Sequence, residues 1–242
     1  MRALAAQTRA ELVLTLRRGE SVLLTLVIPI LLLVFFSSVD ILPVGVKDPV
    51  DFLAPGILAL AVMSTAMVGL GIATGFERQY GVLKRLGSTP LGRPRLLGAK
   101  TASIIAVEVL QVVVLVAVAV ALGWDPLRSS FGTAAAAMLL ATVAFAGLGL
   151  LMAGTLRGEV VLAAANGLYL LLLLLGGMVV PLTKLPGALR PIARALPAGA
   201  LSDALHHSLG GTHVPSGSAY WIVLAAWAIA APVAAALTFR WE

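Results

Sequence analysis

Six long apolar runs alternate with polar stretches along the chain. They cover residues 22–39, 52–76, 101–122, 132–154, 160–180 and 218–239. Each run approaches or exceeds the roughly 20 residues that a helix needs to cross the hydrocarbon core of a bilayer. The pattern therefore predicts an all-α membrane protein with six transmembrane helices.

The first 21 residues are too polar to span a membrane, but they have two faces when drawn as a helix. Gln7, Thr8 and Glu11 lie on one side, and Leu12 and Val13 lie on the other. Such a pattern predicts an amphipathic helix on the membrane surface. A cleaved signal peptide fits less well, because the run 22–39 is longer than its apolar region and no A-x-A site follows.

A long polar interval, residues 77–100, separates the second and third apolar runs and carries six Lys or Arg residues. With six crossings, twelve of the 17 basic residues fall on the same side as this interval and five on the other. Basic residues accumulate in cytoplasmic loops. We therefore expect a multi-pass protein of the cell membrane with both termini in the cytoplasm.

Composition supports a membrane protein and excludes several other classes. The chain is 60% hydrophobic and only 12% charged, whereas soluble domains have about 25% charged residues. Its net charge of +6 is distributed between apolar runs and does not form one basic face, so topology explains it better than nucleic-acid binding. The absence of cysteine excludes disulfides, thiol catalysis and Cys-ligated metals.

The interval 77–100 is predicted to form a helix over 77–86, a turn from Gly87 to Pro90 and a second helix. In the first helix Tyr80, Leu83 and Lys84 share a face, with Leu86 close by. A short amphipathic helix of this kind could bind a cytosolic partner. Charge alone favours an ordinary basic loop over a partner contact, and the length and the helix-turn-helix layout of the interval reduce that preference. Lys100, at the start of the third run, is expected to be an interfacial anchor.

Three residues with a carboxylate or amide side chain lie within the apolar runs. Glu108 is about two turns into the third run, with Gln111 one turn further on the same face. An intramembrane carboxylate indicates a functional site by default, such as a water-lined cavity, a proton path or an interhelical partner. Pairing with Lys100 or snorkelling to the inner surface is an equally good interpretation. Asn166 in the fifth run is expected to form hydrogen bonds between helices.

The other residues of note indicate helix packing and do not indicate catalysis. Small residues at Gly71, Gly75, Gly149 and Ala153 permit close helix approach. His206, His207 and His213 have neither a carboxylate pattern nor an i, i+4 His pair, so we expect solvated histidines and no metal site. Neither a phosphate-binding loop nor a catalytic triad is present in the sequence, which argues against an intramembrane enzyme.

The outer segment 181–217 contains five prolines. Residues 188–196 and 199–209 are expected to form short helices within it, and neither is long enough to span. We therefore expect a re-entrant segment between the fifth and sixth transmembrane helices.

The whole chain resembles the permease subunit of ABC-2 type transporters, especially the bacterial drug-exporter branch that includes daunorubicin-resistance permeases. The resemblance rests on the six spans, the pattern ERxxGxLKRLxxTP at residues 77–90, the GxK at 98–100 and the late segment from Gly176 to Leu205. It implies a single transmembrane domain over residues 1–242 with the type V exporter fold.

The resemblance also implies partners. A coupling helix would bind a separate ATP-binding subunit through Glu77, Arg78, Tyr80, Gly81, Leu83, Lys84, Arg85 and Leu86, with a smaller contact through Arg157 and Glu159. Two permease subunits, identical or related, would combine with two ATPase subunits, which hold the ATP and Mg. The cargo would be a hydrophobic drug-like molecule. A lipid, glycan or haem cargo, or an ion-coupled carrier centred on Glu108, remains an alternative.

Overall fold

The computed structural model describes residues 7–9, 11–13, 19–39, 49–87, 93–125, 130–209 and 218–240, and in these ranges it is all-helical. The prediction of an all-α protein is confirmed. The α-helices are α1 Gly19–Ser38, α2 Pro49–Met63, α3 Leu70–Gln79, α4 Val82–Gly87, α5 Arg93–Ala121, α6 Phe131–Thr155, α7 Gly158–Leu175, α8 Leu189–Ala195, α9 Pro197–Leu209 and α10 Ala219–Thr238. A π-helix, Ser64–Gly69, joins α2 to α3, and a 3-10 turn occupies Leu182–Lys184.

Five helical segments of the described chain are long and apolar enough to cross a membrane. They are Pro49–Gln79, Gly98–Ala121, Phe131–Thr155, Gly158–Leu175 and Ala219–Thr238. The described apolar part of α1, Thr25–Ser38, is shorter. A sixth crossing by α1 stays a prediction, as does the surface helix over residues 1–21. Of the latter, residues 7–9 and 11–13 are described and helical.

The helices pack into one bundle with a continuous apolar core, and α6 lies at its centre against α3, α9 and α10. One end of the bundle contains α4, Arg157 and Arg240, and we call it the basic end. The other end, where α8 and α9 lie, is the capped end. At the capped end the Ser130 amide donates to the Ser208 carbonyl, which ties the start of α6 to α9.

Three predicted boundaries differ from the observed ones. The predicted helix 77–86 is interrupted at Tyr80 and Gly81, because Gly81 adopts a positive φ of 71° that ends α3. The second helix predicted in the interval 77–100 is not separate from the third apolar run, because α5 extends without a break from Arg93 to Ala121. Helix α7 ends at Leu175 and not at 180, since Gly177 has a positive φ of 70°.

The two short helices predicted near the end of the chain are confirmed. They are α8 and α9, and almost all of α9 is buried. Its main contacts are with α2, α6 and α10, so the segment folds back onto the bundle. Its depth in a membrane stays a prediction, and residues 210–217 of the predicted segment lie outside the described residues.

Candidate functional site

A cavity of about 730 Å³ opens between α1, α5, α7 and the second long helix, which is Pro49–Gln79 and consists of α2, the π-helix and α3. This volume is in the range of small-molecule sites, about 300–1,000 Å³. Most of its lining is apolar, and polar groups are concentrated towards the basic end. The described lining includes Ile28, Leu32, Leu60, Ser64, Thr65, Val68, Ile72, Phe76, Glu77, Tyr80, Val82, Lys100, Ile104, Leu162, Asn166 and Tyr169.

The π-helix forms part of the cavity wall. Its residues Thr65 and Val68 line the cavity, and the Thr65 hydroxyl donates to Gln111 Oε1 at 2.9 Å. The Gln111 amide in turn donates to the Thr25 carbonyl at 3.0 Å. Short π-helical stretches occur frequently at functional sites. Here the stretch is connected by hydrogen bonds to Gln111 of α5 and, through Gln111, to Thr25 of α1.

Lys100 is buried at the basic end of the cavity between two carboxylates. Its ammonium lies 2.6 Å from Glu77 Oε2 and 3.0 Å from Glu11 Oε2. We expected Lys100 to be an interfacial anchor, and that expectation is wrong because its side chain is only 3% exposed. The ion pairs instead tie the end of α3 to the start of α5 and to the N-terminal segment.

Arg78, the residue after Glu77, turns to a different set of helices. Its guanidinium donates to the Gly154 carbonyl, to the Leu156 carbonyl at 2.6 Å and, at 3.5 Å, to the Arg240 carbonyl. These oxygens lie at the ends of α6 and α10, where backbone carbonyls have no partner within the helix. Arg78 therefore caps the C-terminal ends of α6 and α10.

The predicted coupling segment presents a mixed surface. Tyr80 is 70% exposed, and Lys84 and Arg85 are exposed as well. Leu83 faces inward, where it packs with Leu96 and Phe239. It therefore does not share an exposed face with Tyr80, and its burial holds α4 against the bundle. For Leu86 only the backbone is described, and contact of any of these residues with an ATPase stays a prediction.

The second predicted contact lies at the same end of the bundle. Arg157 immediately precedes α7 and Glu159 is in its first turn, and both residues are exposed. Arg78 bonds to the carbonyl of Leu156, directly before Arg157. The two predicted contact regions are thus joined by one side chain.

Glu108 does not lie in the described lining of the cavity. Its Oε2 accepts a hydrogen bond of 2.5 Å from Thr142 of α6, and its Oε1 is buried without a hydrogen-bond partner. Pairing with Lys100, one of the two sequence interpretations, is wrong, because Lys100 binds Glu77 and Glu11. Gln111, on the neighbouring turn, contacts α1 and the π-helix and not α6.

Asn166 lines the cavity, but its amide donates to the Leu162 carbonyl of its own helix at 2.8 Å. Among the described residues it therefore does not form the bond between helices that we expected. The small residues predicted to allow close helix approach lie at tight contacts within this one chain. A Cβ at Gly71 would lie 3.1 Å from Gly149 Cα, one at Gly75 would lie 3.1 Å from a methyl of Val161, and Ala153 is fully buried.

His206 is buried at the capped end, whereas solvated histidines were expected. Its Nδ1 lies 2.7 Å from the Ser202 carbonyl and its Nε2 lies 3.0 Å from the Phe52 carbonyl in the first turn of α2. Burial lowers the pKa of His206, and the two carbonyl contacts oppose that shift. His207 is exposed and lies beside Tyr220, while His213 lies outside the described residues.

Sequence reasoning missed the functional contacts of Lys100, Thr65 and Thr142. No local pattern could have identified them, since their partners are 23 to 89 positions away in the chain. In the described part of the chain, no group of three His, Asp or Glu side chains is arranged to hold a metal.

The comparison with individual curated proteins found no match. The family model for the ABC-2 type transporter matches residues 2–209, which include the cavity, α4 and the short helices α8 and α9. The chain therefore belongs to the ABC-2 type transporter family, whose proteins form the membrane-spanning part of ABC transporters.

Proposed function

We propose that this chain is the permease subunit of an ATP-driven exporter and that it moves a hydrophobic, drug-like molecule through the cavity described above. A separate ATPase subunit supplies the energy by binding α4. Two permease subunits and two ATPase subunits form the complete transporter, and the basic end faces the cytoplasm.

The observation that carries this proposal is that the coupling segment is itself part of the cavity wall. Tyr80 and Val82 line the cavity, and α4 begins only two residues after α3 ends. A force applied to α4 therefore acts directly on the space that would hold the cargo. No intervening domain is needed to transmit it.

The lining supports a hydrophobic cargo. Aliphatic residues of α1, α5 and the second long helix form most of the wall, and Phe76 and Tyr169 add aromatic surface. Hydroxyl and amide groups are few, as is usual for small-molecule sites in which a small number of polar groups orient the ligand. The wall contains apolar residues of the second and fifth spans, among them Leu60, Ile72 and Leu162.

Site-specific photocrosslinking tests the proposal in the cell. A benzophenone amino acid at Tyr80, which is 70% exposed at the basic end, is expected to cross-link to a soluble ATP-binding protein. The matched control is the same probe at Phe131, which is 51% exposed at the capped end and should give no such product. Absence of an ATP-binding protein from the Tyr80 product would contradict the proposal.

A further inference from the structure

Glu77 and Arg78, which are adjacent at the end of α3, contact different sets of helices. Glu77 contacts Lys100 at the start of the membrane-spanning part of α5. Arg78 contacts the carbonyls of Gly154, Leu156 and Arg240. The last turn of α3 is thereby connected to α5 on one side and to the ends of α6 and α10, and the approach to α7, on the other.

The backbones at this junction are also in close contact. The Arg240 amide donates to the Gly154 carbonyl at 3.0 Å. A Cβ at Gly154 would lie 2.5 Å from the Phe239 ring and 3.0 Å from Phe239 Cα. Helices this closely packed have little room to slide independently.

The chemistry of arginine suits such a junction. The guanidinium carries five N–H donors in a fixed planar fork, so a single side chain can bind several carbonyls at once. A lysine carries its charge on one nitrogen at the end of a flexible stem. It can neutralise helix ends but cannot hold carbonyls of two separate helices in a fixed relative position.

We propose that Arg78 is a positioning residue that works inside the permease, where it makes α6, the start of α7 and the end of α10 follow the movement of α4. This inference rests on the proposed function, and it assigns Arg78 a role different from direct contact with the ATPase. Tyr80, Lys84 and Arg85 bind the partner, and Arg78 transmits the movement.

If Arg78 has this role, replacing it should leave ATPase binding intact but reduce the stimulation of ATP hydrolysis. When Arg78 is replaced by lysine, the ATPase remains bound in an amount within about twofold of the native complex, because the exposed surface of α4 is unchanged. The acceleration of ATP hydrolysis by the permease falls by about tenfold, in the range of ordinary allosteric coupling factors. An Arg157→Ala variant, at the predicted second contact, should instead reduce the amount of ATPase bound.

Because the chain contains no cysteine, a pair of spin labels can be introduced without background. One label replaces Val82 on α4 and the other replaces Leu237 on α10, which is 82% exposed. Double electron–electron resonance then measures their separation in the purified permease–ATPase complex, with ADP and after trapping with ATP and vanadate. With Arg78 in place, we expect the separation to stay constant, because α4 and the end of α10 move together.

In the Arg78→Lys complex the separation should change on trapping by about 1–5 Å, the range of helix shifts in switching proteins. A separation that changes with native Arg78, or that behaves identically in both complexes, would overturn the inference. If Arg78→Lys does not fold, as judged by size-exclusion chromatography, Arg78→Gln provides the second variant. Failure of any ATPase to bind the native chain would instead refute the proposed function and is distinguished at the purification step.

Discussion

The second long helix has two halves with different surroundings. In the first half, α2, every residue from Phe52 to Met63 is buried. In the second half, α3, only Leu70, Gly71, Thr74 and Gly75 are buried, and Ile72 and Phe76 face the cavity. The change from one environment to the other occurs at the π-helix.

The contacts of the two halves differ in kind. The first half is fixed by close packing at the capped end, where a Cβ at Gly56 would lie 1.8 Å from the Met178 carbonyl oxygen. The second half ends in the polar contacts of Glu77 and Arg78. Close packing along most of its length resists displacement of the first half, whereas the polar contacts at the end of the second half join it to α5, α6 and α10, so that it can move together with them. The comparison supports a fixed half and a moving half within one membrane helix.

The largest effect is expected from adding a methyl group to each half. Gly56→Ala places a Cβ against the backbone of Met178 and should cost about 1–3 kcal/mol or more of unfolding free energy. Gly71→Ala meets Gly149 at 3.1 Å and should cost less, about 1 kcal/mol. Thermal unfolding in detergent measures both.

Gly167→Ala is the matched control, because a Cβ there meets nothing within 4 Å. It should stabilise α7 by about 0.5–1 kcal/mol, the usual difference between glycine and alanine in a helix. If Gly71→Ala destabilised the protein as much as Gly56→Ala, the two halves would be equally fixed and the comparison would fail.

A smaller effect is expected from substitutions at Glu108. They test whether movement of the second half, α3, is driven through α4 or through Glu108 on α5. Glutamine at this position retains both an acceptor and a donor for Thr142, so Glu108→Gln should leave ATP-dependent export unchanged. Thr142→Val removes the hydroxyl that contacts Glu108 and should cost about 1–3 kcal/mol of stability. Loss of export in Glu108→Gln, with normal folding, would favour the ion-coupled carrier.

The smallest effect is a pH dependence at the capped end. Burial lowers the pKa of His206, so its contribution to stability is complete above the unfolded value of about 6.5 and is lost as the pH falls below it. Burial raises the pKa of Asp203 to about 6, so its contribution has the opposite sign and is lost as the pH rises through about 6.

Thermal unfolding midpoints at pH 7.5 and 5.5 separate these two groups. We expect His206→Gln to reduce the loss of stability in acid and Asp203→Asn to increase it. If the two variants had the same pH dependence, neither His206 nor Asp203 would control how the first half, α2, is held at the capped end.

The sequence predicted the parts of this fold that follow from local pattern. Apolar runs marked the membrane helices, and the prolines and short apolar stretches after residue 181 marked α8 and α9. The π-helix could not be predicted, since Ser64–Gly69 continues an apolar run without any distinguishing residue. Gly81, by contrast, was a visible helix-ending residue inside the predicted helix 77–86.

Less of the candidate site than of the fold could be predicted from the sequence. Glu108 attracted attention because a carboxylate in an apolar run is conspicuous, yet it lies outside the described cavity lining. Glu77, Arg78 and Lys100 were read as a partner contact or an interfacial anchor, because they lie in a basic loop. Their partners Gly154 and Glu11 are brought to them only by tertiary packing.

The most direct test of the account is purification of the tagged chain from its native locus in mild detergent, with a parallel Lys84→Glu/Arg85→Glu variant. The control is Lys184→Glu, a charge reversal at an exposed residue of the capped end. We predict that a soluble ATPase accompanies the native chain and the control in stoichiometric amount and is lost from the double variant. Recovery of the native chain alone, or equal recovery of the ATPase with all three, would contradict the assignment of α4 as the coupling helix.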